Sequence, residues 1–365
     1  MKKILALVLA LVMVLSCAAI AEVDYANLKA FKIDAAQIPQ EKLDTELYVA
    51  VSVRDLTNPY IATIAEGMNM FSEYLTSIGQ KHVTQILDSG GDSNVEVQNM
   101  ASFAAKADGN AIAYADPNEN TIAFALAEAM AETGGYVGTA WNKEDDVSPL
   151  DLENWVCHTS PDNTMNAKAT ALAIFEAIGN EGQVFCIEGM LTNTASIDRV
   201  KGFYQAVEEV NAAGGKIEVV VDDTANWNTT EALTLVETNL TKYPDVKAIW
   251  CANDNMATGA LQALDAAGKL GQVAVAGFDA NTDIVQAIAD GTCTATVSSN
   301  GYLQGGYTLA LCYAVWTGLL DVNEIPEDYR MFATPATVIT AENVEAYMAG
   351  APAFDFSDVY FCKAD

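Results

Sequence analysis

Carboxylates, side-chain amides, a guanidinium and aromatic rings recur at one kind of place in this sequence, just past the end of a short apolar run. Asn58 and Tyr60 come after YVAVSV, Asp116 after AIAYA, Trp141 and Asn142 after YVGTA, and Asn253 after AIWC. Asp279 follows the run ending at Ala276, and Ser299 and Asn300 follow TATVS. Arg199 and Trp227 lie a little beyond their own runs. This inventory suits a hydroxyl-rich molecule. Carboxylates and amides exchange hydrogen bonds with neighbouring hydroxyls, a guanidinium fork donates several, and aromatic rings cover the C–H faces of a saturated ring. Taken singly, each residue has a plainer role. Asn58 and Asn253 read equally as helix N-caps. Asp116-Pro117 reads as a turn, Trp141 and Trp227 as packing residues, and Arg199 beside Asp198 as a surface ion pair. Asp279 is harder to retire, because a carboxylate closing an apolar strand needs a partner or water. What joins these residues is their common position.

Catalytic signatures are thin. The sequence has no GxSxG elbow, no Walker loop and no HExxH. Cys157 and His158 are adjacent, but neighbours on a strand point to opposite faces, which works against a nucleophile–base pair. Asp116 and Asp279 could in principle form the acid pair of a glycosidase. The cysteines show no CxxC spacing and His82 and His158 stand apart, so neither a zinc site nor any other metal or cofactor is expected. Cys157, Cys186, Cys251 and Cys293 lie in apolar runs and are expected as buried free thiols.

Strands and helices must place these residues. Apolar runs with strand character cover 48–53, 82–87, 111–115, 136–140 and 155–159, then 184–188, 217–221, 246–251, 273–276, 294–298 and 336–339. Helical periodicity fills the intervals. The clearest case has Ile61, Ile64, Met68, Phe71, Leu75 and Ile78 at alternating spacings of three and four, with Asn58 as cap and Pro59 at the first helical position. Strands alternating with helices argue for an α/β fold with parallel sheets, and two such series argue for two lobes. In open parallel sheets ligands bind outside the carboxyl ends of the strands. The stretch from Lys247 to Asn281 is the plainest unit, a strand ending at Asn253, a helix, and a strand ending at Asp279.

Formal net charge is −31, with half the residues apolar. Such a surface repels nucleic-acid phosphates and anionic lipid, so no nucleic-acid partner is expected. Lys2 and Lys3, the apolar run Ile4 to Leu15 and Ala19-Ile20-Ala21 form an export signal over residues 1–21. A second reading takes Val14-Leu15-Ser16-Cys17 as a lipobox with Cys17 lipidated. Either way the protein is expected beyond the cytoplasm, in the periplasm or on the outer face of the cell membrane.

From about Glu46 to Ile339 the chain resembles the type I periplasmic sugar-binding proteins of the ribose-binding group. The residues that carry this are TNPY after the first strand, ADP after the third, RVKGF, ANDNMATGAL and VAGFDAN. The resemblance implies two Rossmann-like, doubly wound lobes joined by three hinge crossings. It implies a monomer that closes over a monosaccharide or similar polyol and delivers it to an ABC transporter permease. It assigns residues 46–158 and 300–333 to the first lobe, and 159–299 and 334–365 to the second. It also implies ligand-binding roles for Asn58, Tyr60, Asp116, Arg199, Trp227, Asn253 and Asp279, with Ser299 where a hinge Gln is usual. One departure concerns the pocket directly. The ribose binders have Asp-Arg after the fourth strand, and here Ala140-Trp141-Asn142 stand there. Ribose itself is therefore not the expected ligand. Two other functions stay open at this point, a sensing receptor for a cyclitol or signalling molecule and a secreted carbohydrate-active enzyme. DNA-binding repressors share the fold but carry a helix-turn-helix where this chain has an export signal.

Overall fold

The computed structural model describes residues 28–350, 356 and 358–362. The export signal and Cys17 lie outside them. The chain runs through β1 (Leu28–Lys32), α1 (Gln40–Asp44), β2 (Leu47–Val53), α2 (Pro59–Ser77), β3 (His82–Asp88), α3 (Ser93–Ala107), β4 (Ala111–Ala115), α4 (Ala123–Ala131), β5 (Tyr136–Ala140) and β6 (Trp155–Ser160). It continues through α5 (Asn163–Ala177), β7 (Glu181–Glu188), α6 (Thr194–Ala212), β8 (Lys216–Thr224), α7 (Thr229–Lys242), β9 (Ala248–Cys251), α8 (Asp254–Ala266), β10 (Ala274–Ala276), α9 (Thr282–Ala289) and β11 (Ala295–Ser298). Last come α10 (Gly301–Thr317), α11 (Glu327–Arg330), β12 (Met331–Ala333), β13 (Thr337–Thr340), α12 (Val344–Ala349) and β14 (Asp358–Cys362).

Two six-stranded sheets form the lobes. The first has the order β12-β6-β5-β4-β2-β3 and is parallel throughout. The second has the order β13-β11-β10-β9-β7-β8, with only β13 antiparallel. Central strands such as β4 and β9 are buried at every residue, which is why they read as unbroken apolar runs. The chain passes between sheets after β6, after β11 and between β12 and β13, giving three crossings. In each sheet the order reverses beside the first strand of the series, β2 or β7. The loops leaving those strands and their neighbours open onto the gap between the lobes.

The stretch that was plainest in the sequence is locked by a buried carboxylate. Asp254, the first residue of α8, accepts from Thr296 Oγ1 and from the Asn281 backbone N–H, both at 2.7 Å. One side chain thereby ties the starts of α8 and α9 to β11. A Cβ added at Gly277 would overlap Asp254 Oδ1, which explains why glycine precedes Phe278-Asp279. Gly277→Ala is expected to cost on the order of 3 kcal/mol, combining overpacking with disturbed buried hydrogen bonds. Chemical denaturation checks this. A free energy of unfolding within experimental error of wild type would show that the carboxylate is free to move aside.

The tail corrects the expected lobe boundary. It is assigned above to the second lobe, but Phe356 packs on the first. Its ring lies 5.4 Å from Phe71 and 5.8 Å from Tyr307, centroid to centroid. Room for it comes from Gly306 in α10, where a Cβ would press on the Phe356 ring. Beyond it, β14 pairs antiparallel with β1, a strand not anticipated from the sequence. The thiols of Cys157, Cys186, Cys251, Cys293 and Cys312 are buried and free.

Candidate functional site

A narrow cavity lies between the lobes, where ligand sites in two-lobed α/β proteins are found. The first lobe lines it with Asn58, Tyr60, Asp116, Trp141 and Asn142, and the second with Arg199, Trp227, Asn253 and Asp279. Ser299 and Asn300 do not line it. Both belong to the second crossing. Asn300 is in the left-handed conformation at φ 53° and caps α10 through Oδ1, which accepts from the Leu303 N–H at 3.1 Å. Ser299 is fully buried, with its hydroxyl beside that of Tyr60. Asn300 instead lines a neighbouring groove that shares Tyr60 and Asp279 with the cavity. Arg54, Asn193 and Ala195 complete the lining and were missed in the sequence. Arg54 immediately follows β2, so the strand-end rule applied more strictly reaches it, whereas Asn193 lies five residues past the end of β7 and directly before α6.

The two caps serve as caps and as wall. Asn58 Oδ1 accepts from the Tyr60 N–H, and Asn253 Oδ1 from the Met256 N–H, each at 3.0 Å. Using Oδ1 this way leaves Asn58 Nδ2 available to a guest, while the Asn253 amide also hydrogen-bonds the Asp279 carboxyl. Asn193 stands at the corresponding place before α6 but makes no capping bond. It is 1% exposed, and both of its amide atoms are unpaired. Asn142 is the reverse case. Its Nδ2 donates to Pro117 O at 2.9 Å and its Oδ1 accepts from the Ala195 N–H across the gap at 3.5 Å. Thr194 adds two more bonds between the lobes, from its N–H to Asn120 Oδ1 at 3.2 Å and from Oγ1 to Lys143 O at 3.1 Å.

Arg199 is held almost wholly by its own lobe. Nε donates to Asn163 Oδ1 at 3.0 Å and Nη1 to Ala252 O at 2.8 Å. Nη1 also lies 3.6 Å from Asp279 Oδ1, and the guanidinium sits 3.6 Å from the centre of the Phe278 ring. Trp227 flanks it at 5.6 Å, and Trp141 faces it from the first lobe at 5.0 Å. Trp141 in turn meets Tyr60 edge to face, with centroids 5.6 Å apart. The polar ends of these two rings are spent on Gln304 of α10, whose Oε1 accepts from Trp141 Nε1 at 2.9 Å and from Tyr60 Oη at 3.0 Å. Tyr114 Oη donates to the same oxygen at 3.2 Å. The first lobe therefore presents ring surface, not hydroxyl or indole N–H. Trp141 and Trp227 both adopt φ 63° and Asp279 adopts φ 127°. Such conformations cost a non-glycine residue roughly 1–3 kcal/mol each and gather at functional sites.

Burial dominates the electrostatics. It pushes the Asp116 carboxyl up to about 6, with Arg54 and then Arg199 pulling it down. It pushes Asp279 up to about 7 against Arg199, Arg54 and Asn253. Burial also lowers the Arg199 guanidinium, which Asp279 opposes. Several polar atoms around the cavity are buried without a partner: Arg54 Nη1, Asp116 Oδ1, both amide atoms of Asn193, and Trp227 Nε1. A nucleophilic pair at Cys157-His158 is not supported. Burial raises the thiol to about 12 and lowers the imidazole to about 3, and His158 Nδ1 is engaged with Thr139 Oγ1 at 2.9 Å.

The family described as "Periplasmic binding protein domain" matches residues 49–319. The ribose import binding protein RbsB of Haemophilus influenzae is 29% identical over 289 residues, covering 78% of this chain and 91% of its own. The D-allose-binding periplasmic protein of Escherichia coli is 28% identical, covering 69% and 78%. Among solved structures, a twin-arginine translocation pathway signal protein from Burkholderia phytofirmans superposes with a TM-score of 0.79 at 31% identity, covering 83% of this chain and 92% of its own. An ABC transporter solute-binding protein from Bacillus halodurans, solved with myo-inositol, shares the fold with a TM-score of 0.71 at 24% identity over 84% and 99%. Three of these four are named as binding proteins, two for ribose or D-allose and one as the solute-binding protein of an ABC transporter. With two doubly wound lobes, three crossings and a family match over most of its length, the chain belongs to the periplasmic binding protein domain family, as a type I periplasmic sugar-binding protein.

Proposed function

We propose that this protein captures one small, neutral, polyhydroxylated ring, a monosaccharide or a cyclitol, between its lobes and delivers it to an ABC permease. The observation that carries this reading is the set of unpaired buried polar atoms around the cavity, Asp116 Oδ1, the Asn193 amide and Trp227 Nε1. Leaving a buried donor or acceptor unpaired costs about 1–3 kcal/mol each. Ligand hydroxyls supply both partners at once, because each donates and accepts. Trp141, Tyr60 and Trp227 then cover the ring's C–H surface. Asn58, Asn253, Arg199 and Asp279 complete the contacts, while Asn142, its amide committed to Pro117 and Ala195, aligns the lobes. The names of the relatives support the same class, with ribose and D-allose for two of them.

Closure follows from the same accounting. The empty closed form strands these groups, and a bound polyol satisfies them, so the ligand favours the closed lobes. Calorimetric titration against pentoses, hexoses, polyols and inositols is expected to give one site with 1:1 stoichiometry. Heat from no compound of this class would sink the reading. Stimulation of ATP hydrolysis by the reconstituted cognate permease tests delivery separately.

A further inference from the structure

The resemblance marks the loss of a first-lobe guanidinium after the fourth strand. The structure supplies one from a different element. Arg54 directly follows β2 and lines the cavity from the same lobe as Asp116. Its Nη2 lies 3.8 Å from Asp116 Oδ2, too long for a hydrogen bond but close enough for an ion pair. The other halves of both groups are unspent. Arg54 Nη1 and Asp116 Oδ1 are buried and unpaired. The pair thus neutralises itself and still offers one donor and one acceptor from adjoining side chains. Two hydroxyls on neighbouring carbons are the complement, one accepting from the guanidinium and the other donating to the carboxylate.

Arg54 also stands at a boundary. A wider groove lies outside the cavity, and Arg54, Asn58 and Trp227 line both. These side chains form the partition between the enclosed space and the groove. A substituent on the ring at this end would have to pass through them.

We propose that Arg54 is a specificity-determining residue of the first lobe, gripping with Asp116 two neighbouring free hydroxyls of the ligand and rejecting ligands that carry a substituent there. The inference rests on the reading of the cavity as a polyol site and narrows it to rings with an unsubstituted vicinal diol at that end. The test titrates wild type, Arg54→Met and Arg54→Lys with the best-binding polyol, its monodeoxy analogues and its mono-O-methyl ethers. Arg54→Met is expected to bind the parent polyol roughly 10- to 100-fold more weakly, the effect of losing a hydrogen bond to a charged group. Arg54→Lys, which keeps the charge without the fork, is expected to fall between. One monodeoxy analogue should bind wild type as weakly as the parent binds Arg54→Met, and should lose nothing further in that variant. The ether at that position should be rejected by wild type and relatively better accepted by Arg54→Met. An Arg54→Met variant that binds the parent as wild type does, or loses affinity equally for every deoxy analogue, overturns this assignment alone. A wild type that binds no polyol overturns it together with the proposed function.

Discussion

Arg199→Met is expected to weaken ligand binding by roughly 100- to 1,000-fold, equivalent to about 3–4 kcal/mol. Methionine keeps most of the side-chain volume against Phe278, so packing is not the main loss. What disappears is the cation beside Asp279, together with the donors to Asn163 Oδ1 and Ala252 O. Removing one member of a buried pair leaves the other charged and unmatched, which is why the effect exceeds that of a single hydrogen bond. Because every one of these partners belongs to the second lobe, the loss is present in the open protein as well. Thermal stability is therefore expected to drop along with affinity, and calorimetric titration well below the melting transition keeps the two apart. Arg199→Lys should recover part of the affinity and little of the geometry. Binding by Arg199→Met within threefold of wild type would remove Arg199 from the site.

The second large effect is on the empty protein and depends on pH. Asp116 and Asp279 are raised to about 6 and about 7 in the closed form, chiefly by burial. A carboxyl raised on closure holds its proton where the exposed carboxyl has lost it. Its contribution to closure is therefore fully present below about pH 4 and is lost as pH climbs through 6 and 7. For Asp116 the swing is on the order of 3 kcal/mol, and the two groups interact, so their effects do not simply add. The empty protein should be measurably more compact at pH 5 than at pH 8 by small-angle scattering. With saturating ligand, hydroxyl donors hold both carboxylates ionised and the dimensions should be the same at both values. Asp116→Asn with Asp279→Asn should abolish the difference in the empty protein. Equal dimensions of the empty wild type at the two pH values would refute the account.

The architecture was legible because its signals are local. Buried parallel strands read as short apolar runs, and the amphipathic stripe of α2 reads at its own period. The rule that sites gather past strand ends brought Asn58, Asp116, Asn253 and Asp279 to one cavity without knowledge of the sheet order. It did not bring Ser299 and Asn300 into the cavity lining, because Asn300 is spent as the cap of α10 and Ser299 sits buried behind Tyr60. Asn193 escapes the rule because it stands five residues past the end of β7, directly before α6. Gln304 carries no local flag. Its oxygen gathers three donors only because α10 lies against α2, β4 and β5. The tail escaped for a similar reason, since β14 pairs with a strand at the far end of the chain.

That pairing has a mechanical corollary. Both described ends of the polypeptide are fastened to the first lobe, β1 and β14 to each other and β14 against α10 and β12. The second lobe is joined to the rest by the three crossings. In the proposed closure the first lobe is the stator and the second the rotor. A surface, bead or fluorophore attached through either end would hold the stator and leave the rotor free to swing, whereas a label on α6 or α7 would ride with the moving part.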